Sequence, residues 1–69
     1  MVEIFKTNVE GIEESQILLQ LLLKHFSMLQ INFDLDDCDK ILRVEGEIIP
    51  IVAIIELLIN ENYKCEVLE

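Results

Sequence analysis

The stretch LQINFDLDDCDKILRVEG, Leu29 to Gly46, holds the pattern on which the fold turns. Leu29, Ile31, Phe33 and Leu35 alternate with Gln30, Asn32, Asp34 and Asp36, the period of a strand with one face buried and one in water. Asp36-Asp37-Cys38-Asp39 is a turn by composition, and Lys40 to Glu45 is a second strand that so short a connection forces to return antiparallel. Gly46 marks its end. Upstream, Val2 to Val9 is rich in β-branched and aromatic residues, with Phe5, Thr7 and Val9 on one side of a period-2 pattern, so a strand is expected there. Gly11, Glu13 and Glu14 end it. Gln16, Gln20, Lys24 and Ser27 then fall three or four apart, the polar face of an amphipathic helix expected over 13–26, with two carboxylates in the first turn where the dipole favours them.

Downstream, Pro50 suits the first turn of a helix over Ile51 to Asn60, and Tyr63 to Leu68 alternates again as a closing strand with Cys65 turned to the core. The order is βαββαβ. Two βαβ-like halves with right-handed crossovers give an α+β, ferredoxin-like sandwich: a four-stranded antiparallel sheet with two helices on one face, as a single domain over residues 1–69.

Charge and composition narrow the function. Fourteen acids against five scattered bases give a net charge of −9, which excludes neutralising a nucleic-acid backbone. With 52% apolar residues, 27 of them Leu, Ile or Val, the chain builds a packed core despite its charge. A domain of 69 residues spends nearly all of them on that core, so neither an enzyme nor a bound cofactor is expected. No run reaches the ~18 apolar residues of a membrane span. The opening MVEIF has no secretory signal, so a cytoplasmic location is expected. In that compartment Cys38 and Cys65 are expected as free thiols.

Three segments together resemble the heavy-metal-associated domain: FKTNV (Phe5 to Val9) leading through a loop into a helix, INFDLDDCDKILRVEG (Ile31 to Gly46), and IELLINENYKCEVL (Ile55 to Leu68). The resemblance covers nearly the whole chain, and the family, which includes small copper chaperones and the amino-terminal domains of metal-transporting ATPases, has the βαββαβ fold. It implies a Cys-x-x-Cys motif in the first strand–helix loop. By register those positions are Gly11 and Glu14, and no cysteine lies between Met1 and Asp37. Glycine offers no ligand and a carboxylate is hard, so the loop cannot hold Cu(I) on two thiolates. No metal is therefore expected at the family's position.

The connectivity gathers the first strand–helix loop, the middle hairpin and the loop before the last strand at one end of the sheet. That end would collect Glu10, Glu13, Glu14, Asp36, Asp37, Cys38, Asp39, Asn62, Tyr63 and Lys64, an acidic pole suited to a basic protein surface or, with Glu10, Glu13, Asp36, Asp37, Cys38 and Asp39 as alternative ligands, to a cation. Metal binding there, or at a site shared between chains, is the alternative to a protein-contact role. His25 is expected to interact with its helix end, and Tyr63 to cover the sheet edge. The helices carry more apolar residues than one buried face needs. Leu18, Leu19, Leu23, Ile54 and Leu57 are therefore expected on an exposed helical face where two copies could form a homodimer.

Overall fold

β1 (Val2–Thr7) turns Phe5 and Thr7 to the core and Lys6 to water, the alternation of a strand with one face buried. In the computed structural model, which describes residues 1–68, it is followed by α1 (Ile12–His25), β2 (Gln30–Asp34), β3 (Ile41–Glu45), α2 (Ile51–Asn60) and β4 (Cys65–Val67). The strands form one antiparallel sheet in the order β2-β3-β1-β4. Phe5 pairs with Leu42 and Leu42 with Phe33, which aligns the apolar faces of the three strands. Leu18 and Leu22 of α1 and Ile54 and Leu58 of α2 close over that face in a single core with Phe5, Ile31, Leu42 and Val44. The βαββαβ sandwich is thus present, with both helices on one face, α1 beside β2 and α2 beside β4.

The ends of the elements differ from the sequence reading for local reasons. β1 stops at Thr7, two residues early, because side chains take over the backbone's partners. The Val9 N–H donates to Thr7 Oγ1 (3.2 Å), and Asn8 Oδ1 accepts the Lys64 N–H (2.8 Å). Val9 itself still turns inward and is buried. β4 begins at Cys65, not Tyr63, because α2 ends in a Schellman motif that uses the intervening residues. The Tyr63 N–H donates to the Leu58 carbonyl (2.9 Å) and the Asn62 N–H to that of Ile59 (2.9 Å), with Asn62 left-handed at φ 72°. Pro50 caps α2 from just outside it, its carbonyl accepting the Ile54 N–H (3.0 Å).

The expected exposed helical face needs correction. Ile54 is fully buried and Leu18 is 2% exposed, both in the core, while Leu19 and Leu57 are half-buried; of the five only Leu23 is exposed, at 39%. The reason is geometric. With Leu18, Leu22, Ile54 and Leu58 pointing at the sheet, a step of about 100° per residue puts Leu21 and His25 of α1 opposite Ala53, Leu57 and Asn60 of α2. Leu57 thereby fills the groove between the helices. Val52 and Ile59 lie on the flank of α2 away from α1, and Ile12 and Leu23 on the flank of α1 away from α2. Ile17, four residues before Leu21, is exposed on the side of α1 nearer α2, but the other exposed apolar residues of the helices are divided between two outer flanks, so Leu18, Leu19, Leu23, Ile54 and Leu57 do not form one exposed patch.

Candidate functional site

Three loops meet at the end of the sheet where β1 finishes, and hydrogen bonds join them. The Thr7 N–H donates to the Asp39 carbonyl (3.1 Å) and the Thr7 hydroxyl to that of Lys40 (2.6 Å), tying the β2–β3 hairpin to β1. Asn8 holds the loop before β4 through Lys64. Glu14 holds that same loop to α1, because its Oε2 accepts the Tyr63 hydroxyl at 2.6 Å.

Glu14 works twice. Its other oxygen, Oε1, accepts the Gly11 N–H (3.1 Å), which caps the first turn of α1. Gly11 is the N-cap in an extended conformation and its carbonyl accepts the Ser15 N–H (3.0 Å). A Cβ on Gly11 would stand 2.7 Å from Glu14 Oε1, so a larger residue there would need the flexible carboxylate end to shift. Gly11 and Glu14 are therefore bonded to each other, and Glu14 in turn to Tyr63. The carboxylate also raises the Tyr63 phenol above its ordinary 10.0, first because it accepts the phenolic proton's hydrogen bond, then through desolvation and the nearby charges of Glu14 and Glu61.

Glu10, Glu13, Asp36 and Asp37 are exposed on this pole, and Asp39 is half-buried. Asp37, Cys38 and Asp39 bring one ligand atom each within 4.8 Å of one another. Two of those carboxylates already have partners: Asp37 Oδ1 accepts the Asp39 N–H (2.8 Å) in an Asx turn, and Asp39 pairs with Lys6 at 3.7 Å. Lys40 closes the hairpin in a left-handed conformation at φ 48°, its N–H donating to the Asp37 carbonyl (3.0 Å). Cys38 is exposed at the hairpin tip. Cys65 is buried, and that burial, with the charge of Glu66, pushes its thiol up to about 12, which holds it protonated and unreactive at neutral pH.

The acidic pole thus gathers the residues expected of it, while His25 stands apart, its Nδ1 2.9 Å from the Leu21 carbonyl near the end of α1. Arg43 lies on the open face of the sheet against Glu45 (3.3 Å). Sequence reasoning missed Thr7, Asn8 and the Glu14–Tyr63 bond. The spacing Gly11-x-x-Glu14 carries a capping signal that could have paired the Glu14 carboxylate with the Gly11 N–H. Nothing local marks Asn8, whose partner is 56 residues away.

Among the described residues no helix is long and apolar enough to cross a membrane. No protein-family model matches the chain, and no significant match was found among curated proteins or solved structures.

Proposed function

We propose that this domain is a non-enzymatic protein-interaction module, heavy-metal-associated-like but without the thiolate site, whose acidic pole engages a basic surface on a partner. One observation carries the reading. Glu14 is occupied by the Gly11 N–H and the Tyr63 hydroxyl, while Glu10 and Asp36 in the connected loops and Glu13 in the first turn of α1 are exposed without such partners, and Asp37 is exposed with one oxygen held in the Asx turn. Fixed, exposed like charges favour fast association with a surface of opposite sign. The test is fluorescence anisotropy of a labelled oligolysine peptide at low and high salt. Binding should weaken with salt and fall by about tenfold in the Asp36→Asn/Asp37→Asn variant, the loss expected from removing two steering charges. Binding that ignores either change overturns the proposal. Self-association ranks lower, because Leu18 and Ile54 belong to the core and two copies would each bring a charge of −9. Sedimentation at micromolar concentration should report the 8.0 kDa monomer.

A second reading, a cation on Asp37, Cys38 and Asp39, is favoured by the closeness of their ligand atoms. Against it stand the Asx turn and the Lys6 ion pair, which already engage one oxygen of each carboxylate. Titration with Cu(I), Zn²⁺ and Ca²⁺ under reducing conditions decides, and saturable micromolar binding of one of them would reverse the ranking.

A further inference from the structure

The three most exposed large apolar side chains among the described residues are Met28 (91%), Ile48 (83%) and Met1 (75%), and all three line one groove. It is an open groove of about 580 Å³ at the pole opposite the acidic loops, where β3 ends and β2 begins. Its floor is built. Gly46 donates its N–H to the Met1 carbonyl (3.0 Å), and a Cβ there would stand 2.5 Å from Leu29 Cδ2, so only glycine keeps the floor this low over the buried Leu29. The fold gains little from the three apolar side chains, since they remain in water. An exposed apolar cluster of this kind marks a contact surface, and thioethers adapt to varied partners.

The charge around the groove selects the occupant. Glu45 and Glu47 stand in its lining; Glu45 pairs with Arg43 (3.3 Å) and the Met1 ammonium donates to the Gly46 carbonyl (2.9 Å), whereas Glu47 makes no ion pair among the described residues and leaves the groove an unmatched negative charge. A second copy would press another −9 against these carboxylates. We infer that the Met1–Met28–Ile48 groove docks a cationic amphipathic segment of a partner protein, its large apolar side chains seated on Met28 and Ile48 and a Lys or Arg against the unpaired Glu47. This is a contact separate from the acidic pole, and helix-in-groove recognition is its natural form.

The test uses three labelled peptides of about fourteen residues, long enough to become helical on binding: one of Leu and Lys in an amphipathic pattern, one with Ser in place of Leu, and one with Glu in place of Lys. The Leu/Lys peptide should bind the intact chain about tenfold more tightly than either of the others. Met28→Ser/Ile48→Ser should abolish that advantage, whereas Asp36→Asn/Asp37→Asn should leave it in place. Both groove positions are more than four-fifths exposed, so the variant keeps its fold, and its circular dichroism checks that. An advantage that survives Met28→Ser/Ile48→Ser, or a Ser/Lys peptide that binds as well as Leu/Lys, overturns the groove proposal without touching the acidic pole. A concentration-dependent dimer that the same double variant dissociates would overturn it in favour of a second copy.

Discussion

The two poles of the sandwich use their residues in opposite ways. At the loop pole, Tyr63 reaches Glu14 across 49 positions and Lys64 reaches Asn8 across 56, so polar side chains fasten segments remote in sequence. At the other pole Met1 and Gly46 exchange backbone hydrogen bonds, and large apolar side chains stand in water beside them. The difference changes how charge and hydrophobicity are weighed. Part of the acidic pole's charge is consumed by folding: Glu14 caps a helix, Asp37 makes a turn and Asp39 pairs with Lys6. The apolar residues of the opposite pole have no such employment. A residue the fold does not use is stronger evidence for binding than a residue it does.

The largest effect is expected between the poles, in the core that joins them. Ile54→Ala removes a fully buried side chain and should cost about 2–5 kcal/mol, close to the whole stability of a domain this small. Urea unfolding followed by circular dichroism measures it. A cost below ~0.5 kcal/mol, the range of surface sites, would return Ile54 to an exposed helical face.

Next comes Thr7→Val at the loop pole. Thr7 is buried, donates to the Lys40 carbonyl and accepts the Val9 N–H, so an isosteric valine strands two polar groups at roughly 1–3 kcal/mol. At the opposite pole the same denaturation should find Met28→Ser/Ile48→Ser within ~0.5 kcal/mol of the parent chain. The one constrained position there is Gly46, where alanine must push the buried Leu29 aside at about 1 kcal/mol. If Thr7→Val were neutral and the groove variant costly, the contrast between the poles would be reversed.

The sandwich was legible because its strands alternate cleanly: Ile31, Phe33, Leu42 and Val44 carry the period-2 signal that sets both register and core. The pole was legible in outline because connectivity alone brings its loops together. What escaped was long-range or rotational. The bonds of Asn8 and Tyr63 join segments whose proximity is a product of the completed fold. In Ile51–Asn60 nearly every side is apolar, so periodicity could not say which side faces the sheet, and packing turns Ile54 inward; Leu18 of α1, by contrast, lies opposite the polar face of Gln16, Gln20, Lys24 and Ser27, a spacing that already points it inward. Met28 and Ile48 lie in short connections with no periodicity, where no pattern separates an exposed apolar residue from a buried one.

The smallest effect is a shift in a titration, and it tests the fastening directly because Tyr63 is the chain's one tyrosine and there is no tryptophan. The phenol donates to Glu14, so the neutral form is favoured and the folded value lies above the ordinary 10.0. A group raised on folding contributes its stability in full below its unfolded value and loses it as pH climbs through the folded one; this contribution therefore fades only above pH 10.0. Cys65 behaves in the same sense, its contribution fading as pH rises from 9.0 towards about 12, so alkaline unfolding of the parent chain mixes the two. Phenolate absorbance separates them, since it reports Tyr63 alone. Its midpoint should lie above 10.0 in the parent chain and fall towards 10.0 in Glu14→Ala, whereas Asp36→Asn/Asp37→Asn should leave it unmoved. Equal midpoints in the parent and Glu14→Ala would mean that the carboxylate does not hold the tyrosine in solution. Glu14 would then keep only its bond to the Gly11 N–H, and its second oxygen would be available to a partner beside Glu10 and Glu13.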